Sequence, residues 1–295
     1  MSWVNRIIVL FCLAYCAFGT FNYLNYGVVA NNQDWVFHFG QARGEPIESS
    51  YWSVMPQPPN TSYQPLYHWL FSFFSFNELA FYFANVLLVC GLIPFLLVKK
   101  WPSIWVVLIY FCGISLPHQF LYASTFPNAL ILVFFLVYLL KRNWLSWIVL
   151  TILAFFTHGF GLYLFLVIGF LEVGKWLTSG YWSVGWLQQA QMSWHNFGIL
   201  LLSALPLPVI YFGFKQVNKK GEIFFGGLVL ISFIASFFEF RALCIAQVLL
   251  CGLAGLQLEK ESKKIQAGFA LFLIAELCFY VLEFVFGTWK FIVFN

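Results

Sequence analysis

Apolar residues run through this chain in long blocks, separated by short polar or basic punctuation and broken once, near the N-terminus, by an extended wet segment. A helix needs about 20 apolar residues to cross roughly 30 Å of hydrocarbon. By that measure the pattern predicts spans at approximately 6–26, 77–98, 103–117, 124–140, 143–157, 160–175, 197–214, 222–238, 242–258 and 266–288. The predicted fold is an all-α polytopic membrane protein of about 9–10 transmembrane helices, one transmembrane domain over residues 1–295. The first run carries Arg6 and continues to about Tyr26 with no clear small-x-small cleavage site, so it is read as a span rather than a signal peptide.

The wet segment, residues 31–71, reads NNQDWVFHFGQARGEPIESSYWSVMPQPPNTSYQPLYHWLF and carries Asp34, His38, Arg43, Glu45, Glu48 and His68. Asp34, Glu45 and Glu48 are three of the chain's 11 acidic residues, and His38 and His68 are two of its five histidines. Scarce polar chemistry gathered in one loop, about residues 27–76, marks that loop as the place of work. Within it, 34–41 predicts a short interfacial helix capped by Asn31 or Asn32, and 67–76 predicts a second with Pro65 near its start. The MPQPPN tract at 55–60 must be irregular, because proline cannot continue a helix and restrains the residue before it.

Composition sharpens the picture. Hydrophobic residues make up 62% of the chain and charged residues 9%. A soluble domain carries about 25% charged residues, so this chain cannot furnish a water-facing surface. The net charge of +4 is scattered in short clusters, which argues for a topology signal and against a nucleic-acid partner. The seven cysteines all fall in apolar runs without a CxxC pair, so neither a zinc site nor a disulfide framework is indicated. Many of the 13 tryptophans are expected at membrane interfaces.

Basic residues flanking spans favour the cytoplasm. Arg6, the pair Lys99 and Lys100, and the pair Lys141 and Arg142 agree: the wet segment lies outside, as does the turn holding His118. The second half admits two arrangements. Spans 143–157 and 160–175 can form a hairpin at Gly159 and Gly161, leaving Lys219, Lys220 and the basic residues of 260–264 outside. A single crossing brings both clusters inside but needs one helix of about 33 residues, about 50 Å long. The hairpin is preferred, and the polar stretch 178–195 is expected along an interface.

Several motifs together resemble the C-type (GT-C) membrane glycosyltransferases, which include protein mannosyltransferases and lipid A aminoarabinose transferases. A first span is followed by an outer loop with an early Asp (Asp34 in NNQDWVFHF) and short interfacial helices. A Pro-Leu-aromatic stretch, QPLYHWLFSFFSF at 64–76, then leads into the second span. Thr157-His158-Gly159 is similar to the family's Thr-Lys-Gly turn. The resemblance covers roughly the first 175 residues. It implies transfer of a sugar from a polyprenyl-phosphate carrier to an acceptor at the outer face, with Asp34 as general base or acceptor-orienting carboxylate. No cofactor is implied. The family's frequent second acidic residue is Trp35 here, which speaks against a metal-dependent version.

Each candidate has a plainer competing role. Asp34 would serve equally as a helix cap. His38 shares a helical face with Asp34 four residues away, or is an interfacial histidine without a task. His68 faces the expected cavity, or is a satisfied core histidine. His158 meets the carrier phosphate, or ends a helix. Arg241 clamps that phosphate bidentately, or pairs with Glu239 and snorkels to headgroups. Two other functions compete with the glycosyltransferase. A transporter or flippase would use Glu172, Arg241, Glu276 and Glu283 inside the bundle, and a catalytically silent subunit would keep only the scaffold. Topology is tested directly: a Ser49→Cys variant should react with an impermeant maleimide on intact cells above the parental background, and labelling only after permeabilisation would reverse the orientation.

Overall fold

The computed structural model describes residues 3–27, 29, 33–45, 65–114, 116–117, 121, 126–157, 206–217, 223–236 and 243–286, and every described element is helical. In chain order these are α1 (Trp3–Tyr26), α2 (Gln33–Ala42), α3 (Pro65–Ser72), α4 (Glu78–Lys100), α5 (Ile104–Gly113), α6 (Phe126–Lys141), α7 (Trp144–Thr157), α8 (Leu207–Val217), α9 (Ile223–Ser236), α10 (Leu243–Leu258) and α11 (Lys263–Phe286). The predicted runs at 6–26, 77–98, 143–157 and 242–258 match α1, α4, α7 and α10 closely. The predicted run at 160–175 and the polar stretch 178–195 lie outside the described residues, so the hairpin after Thr157 does too.

Among the described residues, two helices, α1 and α4, are long and apolar enough to cross a membrane. At 1.5 Å per residue the 24 residues of α1 extend about 36 Å. By contacts the chain divides into two compact units, Met1–Leu96 with His118–Gly180, and Leu97–Pro117 with Tyr181–Asn295.

In the first unit α1 lies along α4, and α6 packs on α7 and on the middle of α4. Gly19 is what lets α1 approach: a Cβ there would collide with the Tyr82 ring, whose hydroxyl donates to the Tyr15 carbonyl at 3.0 Å. The other face of α1 leaves Leu10, Leu13 and Leu24 more than half exposed, an apolar stripe unsuited to water. Asn77 caps α4, its side chain accepting from the Leu79 amide at 2.7 Å. Leu87–Leu92 is a π-helical turn, with the Ile93 amide donating to the Leu88 carbonyl. Pro94 explains it: without an N–H, and with a ring that crowds the carbonyl four residues back, it favours a locally widened helix.

In the second unit α10 is the axis, burying 15 of its 16 residues beneath α5, α8 and α9. LCIAQVLLCGLAGLQL is apolar on every side, the pattern of a helix surrounded by others. Small residues set the approach of α5. A Cβ on Gly252 would enter the Trp101 ring, and one on Gly255 would sit 2.8 Å from the Val106 nitrogen. Two bonds complete this seam: Ser103 Oγ donates to the Gly255 carbonyl and Cys251 Sγ to the Val106 carbonyl, each at 3.1 Å. At one end of the unit, Glu261 takes a 2.6 Å bond from Lys215 and a 2.5 Å bond from Gln257. The carboxylate hydrogen bond raises the Lys215 pKa above its ordinary value.

The described tryptophans divide between buried and exposed positions. Trp35 and Trp101 are 1% exposed and fill gaps between helices, whereas Trp3, Trp69 and Trp144 are largely exposed. Large rings are worth most where packing surrounds them, and an interface position is the alternative only for those left uncovered. The α5–α10 seam is tested by Gly255→Ala, which should cost about 1–3 kcal/mol in thermal unfolding because Val106 backbone must move. Gly227→Ala, with nothing within 4 Å of its Cβ, should cost nothing or stabilise α9 by about 0.5–1 kcal/mol.

Candidate functional site

The short helices of the first loop fold back on the head of α4. In α2, Trp35, His38 and Ala42 recur at helical spacing and are all buried, with Phe37 beside them. The helix ends in a Schellman turn: the Glu45 amide donates to the Gly40 carbonyl at 2.9 Å and the Gly44 amide to the Gln41 carbonyl at 3.1 Å. Gly44 supplies the required left-handed backbone, with φ of 76°. Pro65 opens α3, where its missing N–H costs nothing, and Tyr67, His68 and Phe71 form the buried face. Ser75 Oγ donates to the Ala42 carbonyl at 3.1 Å, joining the end of α2 to the turn after α3.

Three polar contacts lock this arrangement. Glu78 Oε1 accepts from Trp35 Nε1 at 2.7 Å and from the Val29 amide at 2.9 Å, fixing α2 and the residues just after α1 to α4. Tyr67 donates its hydroxyl to Asn85 Oδ1 at 2.8 Å, and Asn85 Nδ2 donates to the Phe81 carbonyl at 2.9 Å. Between α2 and α3, His38 Nδ1 and His68 Nε2 meet at 2.9 Å, with ring centroids 5.1 Å apart and ring planes within 19° of parallel. Both imidazoles are buried, at 3% and 7% exposure. Phe37 and Tyr67 present ring edges to the pair at centroid distances of 5.1–6.2 Å.

A ring nitrogen pair at this distance needs one donor and one acceptor, so one imidazole offers N–H and the other a lone pair. A doubly protonated pair would face donor with donor and lose the bond. The arrangement can therefore hold or pass one proton between two helices without water in between.

The sequence candidates fall out unevenly. His38 and His68 are brought together. Asp34 is the second residue of α2, four before His38, so it sits inside the first turn rather than capping the helix. Its cap role is corrected on that ground: the helix begins at Gln33, before it. A carboxylate in a first turn is still favoured by the helix dipole. His158, Glu239, Arg241 and Glu172 lie outside the described residues, as does the side chain of Glu283. Glu276 lies on α11 in the second unit. Thr157, first of the Thr-His-Gly triplet, ends α7 and is fully buried, donating to the Leu153 carbonyl at 2.7 Å. That helix packs against α3, the helix bearing His68. Among the described residues no three His, Cys, Asp or Glu side chains gather as a metal site would require.

Glu78, Tyr67 and Asn85 were not flagged by pattern. Their signal is present in the sequence: a carboxylate and an amide on a strongly apolar span are expensive unless each finds a partner.

Comparison with family models, curated proteins and solved structures gave no match.

The Glu78 clamp predicts a graded response. Glu78→Ala leaves two buried donors without an acceptor and should cost about 2–4 kcal/mol, at about 1–2 kcal/mol per orphaned group, with faster amide exchange across 33–42. Glu78→Gln keeps an acceptor oxygen and should stay near parental exchange. Equal exchange in both variants and parent would mean that Glu78 does not anchor α2.

Proposed function

We propose that the chain is a multi-pass integral membrane glycosyltransferase of the C-type. In this reading it moves a sugar from a polyprenyl-phosphate carrier to an acceptor at the extracytoplasmic face of the plasma membrane. The observation that carries the reading is the folded-back first loop. Helices α2 and α3 do not extend into water but cover the head of α4 and enclose two imidazoles. A loop that only joined two spans would not need a buried, hydrogen-bonded polar pair, which is costly to assemble in an apolar setting.

Asp34, at the start of α2, is the proposed base. It takes the acceptor hydroxyl's proton as the oxygen attacks the sugar's anomeric carbon and polyprenyl phosphate leaves. His38 follows it by one helical turn on α2 and is buried against His68. His158 follows the buried Thr157 of α7, which packs on α3, so the same neighbourhood would receive the carrier phosphate. The membrane setting is supported by α1 and α4, both long and apolar enough to span. The shorter apolar helices α5, α6, α7 and α10 have the composition expected of further spans.

Asp34→Asn keeps the side chain's size and cannot accept a proton. Transfer from a polyprenyl-phosphate sugar should fall by about 10²–10⁴-fold. Thermal stability should drop by no more than about 1 kcal/mol, the worth of a first-turn carboxylate. Parental transfer by the purified Asn variant would remove Asp34 as base.

A further inference from the structure

The two histidines were singled out separately, and nothing in the proposed reaction so far requires them to touch. Their contact is the part of the site with the most specific chemistry. We propose that His38 and His68 act as one unit, a relay that receives the single proton released in each transfer, which rests on the glycosyltransferase reading above. The acceptor O–H bond breaks as the new bond to the anomeric carbon forms. The bond from that carbon to the phosphate oxygen breaks with its electron pair leaving on the phosphate. The proton passes through Asp34 to the outer nitrogen of one imidazole. The proton between the rings shifts across the 2.9 Å bond, and the second ring passes the proton on its own outer nitrogen to solvent water, the final acceptor.

Geometry favours this over two independent histidines. Both rings are buried, so neither exchanges protons freely with bulk water, and the bond between them spans two helices of the same loop. Asp34 lies one helical turn from His38 on α2. Among the described residues, the titratable groups on the neighbouring elements are otherwise engaged or distant. On α3 the nearest titratable group is the Tyr67 phenol, committed to Asn85. On α4 the carboxylate of Glu78 is taken by Trp35 and Val29. On α2, Arg43 pairs with Glu45 just past its end, at the exposed surface. Helix α7, packed on α3, has no titratable side chain.

The experiment uses the full chain in nanodiscs and two readouts. Nitrogen NMR of ¹⁵N-histidine protein, titrated from about pH 8 to pH 5, should show the two rings changing together with uptake of one proton between them. The second readout is sugar transfer by His68→Gln, whose amide reaches the Nε2 position and keeps the hydrogen bond but carries no extra proton. Its kcat should fall at least about tenfold, within the range of acid–base contributions. KM for the polyprenyl-phosphate sugar should stay near parental, and the loss of rate at low pH caused by a pre-protonated pair should disappear. His38→Asn should behave alike, since its amide reaches the Nδ1 position. Two independent one-proton titrations would overturn the shared unit. An unaltered kcat and pH profile in His68→Gln would overturn the relay while leaving the transferase in place. A parental protein that transfers no sugar would overturn the function itself, and the transfer step with it.

Discussion

The carboxylate of Glu78 is the contact on which the rest of the first unit depends. It stands at the first turn of α4 and takes hydrogen bonds from a side chain of α2 and from the backbone just after α1. Those two bonds bring three separate elements to one point. With α2 fixed there, Trp35 fills the space against Phe81 and Tyr82 at ring distances of 5.2 and 5.9 Å. His38, three residues on, is then turned toward α3. Bonds to a charged group are each worth about 1.5–3 kcal/mol, a large part of what holding a helical turn in place costs.

The second unit solves its packing differently. Among its described residues, the carboxylate that accepts two side-chain bonds, Glu261, stands at one end rather than between its central helices. Glycines and a cysteine let α5 lie almost backbone to backbone on α10, and the hydroxyl of Ser103 and the thiol of Cys251 bond directly to main-chain carbonyls. Close approach of small residues is how apolar helices associate where burying them from water gains little. The polar bonds of that unit gather instead at one end, around Glu261 and Gln266. Among the described residues, it is the first loop that encloses two hydrogen-bonded imidazoles between helices, and it is there that a reaction is proposed.

Hydropathy made the helices readable. Runs ended where basic residues ended them, as at Lys100 and Lys141, whereas the Asn77 cap that starts α4 came only from the structure. Individual chemical residues were also readable, because His38 and His68 stand out in an apolar chain. Their contact was not. It joins positions 30 apart in sequence through helices whose relative placement is set by Glu78 and by Tyr67 on Asn85. The π turns in α4 and α5 left no trace in hydropathy either, since one additional residue per turn does not change an apolar run. In α4 the proline was the available clue.

The central claim is that α2 and α3 meet a polyprenyl-phosphate sugar. A photoactivatable polyprenyl-phosphate sugar, with its reactive group on the sugar, tests this most directly when crosslinked to the full chain in nanodiscs and mapped by mass spectrometry. The account predicts adducts on peptides from 33–42 and 65–72, competed away by excess unlabelled carrier sugar. Adducts confined to other helices, or none that unlabelled carrier sugar competes, would contradict it.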